Sequence, residues 1–269
     1  MHSLTRLLLA VLVVAVSGCL TPPGTPSCDD AACDAAGARH PLVPTWGVDD
    51  ALQFQACQGG YAVMQGSYDL VRAVVPSAFR LEGYVPGTTG LLLQELSCER
   101  VASNTTVFGP ASFAKFVAFV TPLNESWRAQ ETEYYDLGVF VSVGELADAI
   151  GPATGAEVAR FQRTDGPTPA GRQELVTIEA ADCSLSFSFF HGNPTSTLRS
   201  GTFHNWAGDG PFRRAEERQR FYVGDTPFVG VLAASGACTS VRAVGPGLAY
   251  TSQSYTLESV WTLVPQEYT

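Results

Sequence analysis

The chain has 269 residues, of which 45% are hydrophobic and 16% charged, and it carries a formal net charge of −10 at pH 7. That length and apolar content suit one large β domain or two small ones with a real core. The acidic balance sets aside non-specific nucleic-acid binding, which needs a basic surface, and disfavours lying flat on anionic headgroups.

The first element is an export signal. Arg6 precedes the twelve-residue apolar run "LLLAVLVVAVSG", residues 7–18. A twelve-residue helix rises about 18 Å, short of a hydrocarbon core of about 30 Å. The run therefore reads as a signal peptide over 1–18, not as a membrane span. It ends in Val16-Ser17-Gly18-Cys19, which resembles the lipobox of prokaryotic lipoproteins. The resemblance implies cleavage after Gly18 and lipid on Cys19, so the membrane-lipid contact runs through Cys19. Acyl chains hold a protein to a bilayer by burying methylenes, about 0.8 kcal/mol each. The competing reading is an ordinary signal peptide in which Cys19 is incidental. Residues 19–45 are rich in Pro, Gly, Ala and small polar residues without periodicity, and read as a linker. The expected location is the extracytoplasmic face of the membrane, with a single β-rich domain over 46–269.

The body is read as strands over 57–66, 90–103, 112–122, 157–164, 172–180, 184–190, 200–207, 218–223, 227–234 and 254–264. In 184–190 Leu185, Phe187 and Phe189 alternate with serines, as one buried face requires. Two short helices are expected. One starts at Ser67 and stops at Pro76, and the other covers 144–152 and ends in Gly151-Pro152. Many strands with few helices predict a mostly antiparallel β fold, a closed or partly closed barrel. Beyond Cys19 there are six cysteines, and an exported chain meets oxidising conditions. Six cysteines allow 15 connectivities; the expected set is Cys28–Cys33, Cys57–Cys98 and Cys183–Cys238. Sequons at Asn104 and Asn124 mark exposed loops that accept glycans if the host has that machinery.

Three segments carry the candidate chemistry. Lys115 is the only lysine, set in the strand "FAKFVAF" (113–119) against fifteen arginines. Phe113, Lys115, Val117 and Phe119 share one face of that strand. A desolvated lysine is a nucleophile; the alternative is a stem packed on phenylalanine with its ammonium reaching water. The nearby carboxylates are Glu95 and Glu99, and pairing with either makes Lys115 a protonated structural residue and not a catalytic one. The run "FRRAEERQRF" (212–221) offers Arg213 and Arg214, beside Trp206, as a clamp for a carboxylate or phosphate. Its competing reading is a solvated, mutually neutralised surface, because Glu216 and Glu217 compete for the guanidinium groups. Trp206, Phe212, Phe221, Tyr222 and Trp261 read as core or barrel wall. A turn at 193–196 would join 184–190 and 200–207 as a hairpin. It would hold His191 and His204 roughly 20 Å apart, too far to share a metal. No metal or cofactor is expected.

The segments "LVRAVVPSAF" (70–79), "FAKFVAFVTP" (113–122) and "YYDLGVFVSVGELADAIG" (134–151) together resemble the acetoacetate-decarboxylase-like superfamily, over roughly residues 50 to 264. The resemblance implies a β-rich, barrel-like body around a cavity. The decarboxylases use a lysine next to a second lysine after a glycine-proline turn. This chain has no second lysine, so the resemblance implies the fold and leaves the chemistry in doubt. The expected function is a noncatalytic binding or envelope protein holding a small apolar or anionic ligand. The alternatives are a Schiff-base decarboxylase or lyase built on Lys115, and a structural adhesion protein.

Overall fold

The computed structural model describes residues 50–169, 171–238, 247–264 and 268–269. The expected signal peptide, Cys19, the 19–45 linker and the Cys28–Cys33 pair lie outside the described residues. In chain order the elements are β1 (Ala51–Ser67), α1 (Tyr68–Arg72), β2 (Phe79–Leu81), β3 (Thr88–Ala102) and β4 (Val107–Pro122). A 3-10 turn (Glu125–Trp127) leads to β5 (Thr132–Val141), α2 (Gly144–Thr154), β6 (Glu157–Val158), β7 (Arg160–Thr168), β8 (Gly171–Glu179) and β9 (Cys183–Phe190). The last four strands are β10 (Arg199–Ala207), β11 (Arg213–Val223), β12 (Phe228–Gly236) and β13 (Gly247–Leu263).

Strands β1, β3, β4, β5, β10, β11 and β13 follow one another in that order, and β13 pairs back with β1 to close a seven-stranded barrel. All neighbours run antiparallel except β5 and β10, which are parallel. The 17-residue β13 belongs to two sheets. Its C-terminal half pairs with β11, and its first residues pair with β12, which continues through β9 and β8 to β7. This flanking sheet lies on the outer wall of the barrel. Phe187 and Phe189 press on β1 at Gly60, where a Cβ would stand 2.3 Å from the Phe189 ring, so only glycine admits the contact. A one-residue bulge at Ala56 (φ 50°) interrupts the alternation of β1. Phe54 fills the barrel below the bulge, and Tyr61 and Val63 point inward above it.

One end of the barrel is plugged. Phe54, Phe113 and Trp261 pack ring to ring at 4.9 to 5.9 Å, and Leu146 and Ile150 of α2 cover them. Disulfides join Cys57 to Cys98 across β1 and β3, and Cys183 to Cys238 beside the flanking sheet. Two sequence expectations are corrected. The segment 191–198 is not a hairpin turn, because β9 pairs with β8 and β12, while β10 pairs with β11 and β5. Strand 218–223 begins at Arg213, since its charged residues alternate with an inward-facing set.

Candidate functional site

Above the plug, the barrel holds a layer of buried polar side chains, and above that a cavity of about 480 Å³. Lys115 of β4 stands in this layer, 1% exposed. The expectation that its ammonium reaches water is therefore corrected: the ammonium ends on side chains of β10 and β11 inside the barrel. Nζ bonds Glu217 Oε2 of β11 and donates to Asn205 Oδ1 of β10 at 3.3 Å. It also sits 5.3 Å from the ring centres of Tyr134 and Trp261 and 5.8 Å from that of Phe203. Such contacts favour a cation.

Glu217 is the hub of the layer. Its Oε2 accepts from Lys115 and from Asn205 Nδ2 at 3.2 Å. Its Oε1 accepts from Gln219 Nε2 and from Ser259 Oγ at 3.0 Å. Burial raises the pKa of the carboxyl, but the Lys115 charge and these hydrogen bonds outweigh it and hold Glu217 below the usual carboxylate range. The register also corrects the expected partners. Gln94 lies opposite Lys115 on β3, so Glu95 points to the other side of the wall, and Glu99 is exposed. Glu95 is instead fully buried under the flanking sheet, where both its oxygens accept from Arg163 Nη2 of β7 at 2.7 Å. Arg163 also bonds Glu174 of β8 at 2.7 Å and the Gln58 carbonyl of β1 at 3.1 Å. Burial pushes Glu95 up to about 7 against the pull of Arg163.

Asp136 of β5 completes the interior charges. Its Oδ1 is buried without a hydrogen-bond partner among the described residues. Burial pushes its carboxyl from 3.8 up to about 7, with Lys115 opposing and Glu217 adding to the rise. The native state therefore holds a proton that the unfolded chain has already lost. The stability this gives is fully present below about pH 4 and is lost as pH rises through about 7. Asp136→Asn should flatten the fall in urea midpoint between these limits. An unchanged slope in the variant would show that Asp136 is not the group responsible.

The other predicted site residues lie away from the cavity. Trp206 is buried outside the barrel and donates Nε1–H to Glu133 Oε2. Arg214 lies over the Trp206 and Tyr268 rings and donates to the Trp127 carbonyl at 2.9 Å, and Arg213 bonds the Pro152 carbonyl. The 212–221 run is thus only partly a solvated surface. Arg213, Arg218 and Arg220 are exposed, while Glu217 is 1% exposed. His191 lies 3.4 Å from Glu174 and His204 lies 3.7 Å from Glu131, and no metal-ligating cluster occurs among the described residues. Asn104 and Asn124 are exposed, and Asn124 Oδ1 caps the 3-10 turn by accepting from the Ser126 amide at 3.1 Å. Glu217, Asn205, Gln219, Ser259 and Asp136 escaped the sequence reading. The signal for Glu217 was present: Ala215, Glu217 and Gln219 alternate with Arg214, Glu216, Arg218 and Arg220.

The fold is shared with known enzymes. An acetoacetate decarboxylase-like enzyme from Sphingomonas wittichii RW1 superposes with a TM-score of 0.51 at 13% identity, covering 85% of this chain and 99% of that one. An acetoacetate decarboxylase superposes with a TM-score of 0.52 at 10% identity, covering 83% and 90%. The enduracididine biosynthesis enzyme MppR gives 0.51 at 8% identity, covering 83% and 88%. This chain therefore has an acetoacetate decarboxylase-like barrel fold. No protein-family model and no curated protein matches its sequence.

Proposed function

We propose that the chain is an exported lipoprotein, anchored through lipid on Cys19, whose barrel binds a small, largely apolar ligand without chemical conversion. The observation that carries the noncatalytic reading is the closed pair of Lys115 and Glu217. A Schiff-base nucleophile acts as a neutral amine. A neutral Lys115 must send its proton either out of the pair, which strands the Glu217 charge in the barrel interior, or onto Glu217, whose carboxyl is held below the usual carboxylate range; both are unfavourable. The cavity itself, walled by aromatic rings, has the size of small-molecule sites. The anchor rests on the short apolar run and its Val-Ser-Gly-Cys ending.

A second reading is supported by the place of Lys115. It lines the cavity of a barrel whose structural neighbours include decarboxylases. Borohydride reduction with small β-keto acids or aldehydes, followed by peptide mass spectrometry, separates the two. The expected result is an unmodified Lys115. A stable adduct there, lost in Lys115→Arg, would establish the Schiff-base reading in its place. For the anchor, Cys19→Ser should release the protein from membranes, and an unmodified mature N-terminus at any other residue would refute lipidation.

A further inference from the structure

We infer that the outer face of the flanking sheet is a self-association surface, on which a second copy of this chain packs face to face. The inference is independent of what the cavity holds.

The sheet of β7, β8, β9 and β12 wears its charge on the wrong side for a solvent face. Side chains alternate between the two faces of a strand. Leu185, Phe187 and Phe189 of β9 are buried against the barrel, so the half-buried serines between them face outward. In β12 Leu232 is buried, and Val229, Val231 and Ala233 are turned out. The charged residues of β7 and β8 gather on the inward face. Arg163 pairs with Glu95 of β3 and with Glu174, and Asp165 stands opposite Glu174 in the register. On the outward face Arg160 stands opposite Glu179 at one end. Beyond them the facing pairs are uncharged, as in Gln162 with Thr177 and Thr164 with Leu175. That terminal pair of opposite signs is the only charge the four strands turn outward among the described residues. Charged residues ordinarily lie outside, and their depletion from an exposed patch marks the core of an interface. The polar groups are also largely served within the face. Gln162 Nε2 donates to Glu179 Oε2 at 2.9 Å, and Gln173 Nε2 donates to Ser188 Oγ at 2.8 Å. Covering them therefore costs little in lost hydration.

The lack of charge selects the partner. Each copy carries a formal net charge of −10, so two copies repel unless they meet where neither presents charge. A basic partner finds no carboxylates to pair with here. A bilayer would strip water from the serine and threonine hydroxyls and return nothing, whereas a like face meets them with hydroxyls of its own. The face is also self-complementary. Val229, Val231 and Leu175 are 61%, 56% and 44% exposed, on β12 and on β8 with β9 between. A two-fold axis along β9, midway between the sheets, lays β12 of one copy over β8 of the other and closes the valines on Leu175. The serines and threonines between them are short enough for sheets to stack about 10 Å apart. The strands have eight or nine residues each. Four of them cover about 19 by 30 Å, so the pair buries roughly 1,100 Å², the lower end of specific interfaces.

The test is sedimentation of the full mature chain carrying Cys19→Ser, which has no acyl group to aggregate. Its mass should rise from one copy to two between about 1 and 300 μM, as a small interface implies. Ser186 lies at the centre of the face, between Ala233 and Thr177. Ser186→Glu brings two like charges together at the axis and should weaken the dimer at least about tenfold. Hydroxyl-radical footprinting of the chain without that change locates the contact independently. Val229, Val231 and Leu175 should lose reactivity at the concentrations where the dimer forms. A monomer at every concentration overturns the proposal and leaves the face to another occupant. A dimer in which those three side chains stay fully reactive, or whose affinity survives folded Ser186→Glu, overturns it as well.

Discussion

Glu217→Ala should destabilise the protein by about 3–5 kcal/mol, the cost of leaving one member of a buried ion pair without its partner. Lys115 is 1% exposed, and its remaining hydrogen-bonding acceptor, Asn205, carries no charge. The loss also breaks the bonds to Gln219 and Ser259, so the polar layer loosens as a unit. Replacing both partners with apolar residues, Lys115→Met with Glu217→Leu, should recover most of the loss, because the desolvation cost disappears with the charges. Urea denaturation of the two variants checks this. If the double variant is no more stable than Glu217→Ala, the pair is not the source of the effect.

Arg163→Met should cost a similar amount at pH 8, by removing the cation between Glu95, which is fully buried, and Glu174, which is 6% exposed. Here the loss should shrink as pH falls. Glu95 already titrates near 7 with Arg163 in place, and without that charge its carboxyl rises further. The native variant then takes up a proton that the unfolded chain, titrating near 4.5, does not yet bind. Stability is gained from that folded value down to about 4.5. By pH 5 most of the destabilisation should be gone. A loss of equal size at pH 5 and pH 8 would mean that Arg163 acts through packing and not through Glu95.

Much of the fold could be read from the chain because period-two alternation is local. Leu185, Phe187 and Phe189 are all buried, as their spacing with serines implies. The helix expected at 144–152 forms at Gly144–Thr154, and the Cys57–Cys98 and Cys183–Cys238 pairs are bonded. The barrel class followed from the number of strands and the three segments that resemble the decarboxylase-like fold. The early part of β1 was missed because the Ala56 bulge shifts its alternation in mid-strand. The site was harder, because its members come together only through strand order. Lys115 and Glu217 are 102 residues apart, and β4 and β11 are not neighbours in the sheet. They meet across the interior of a closed cylinder. Looking for a partner on the adjacent strand led to Glu95 and Glu99, whereas the barrel supplies one from across its bore. Glu217 was also hidden by composition, sitting among arginines that face solvent.

The closure of the barrel has a kinetic consequence. Its seam joins the first long strand to the last, with Ala51 opposite Thr262 and Met64 opposite Ala249. Pairings of such sequence separation form late and slowly, since the intervening chain must be ordered before they are rewarded. A chain emerging N-terminus first can lay down β1, β3, β4 and β5 in sequence, but it cannot make a cylinder until β13 arrives. Until then the inward faces with Lys115 and the cavity rings stay open to water, and β1 keeps an unpaired edge. The closed cavity is therefore the last feature the chain acquires, after its final strand has been delivered.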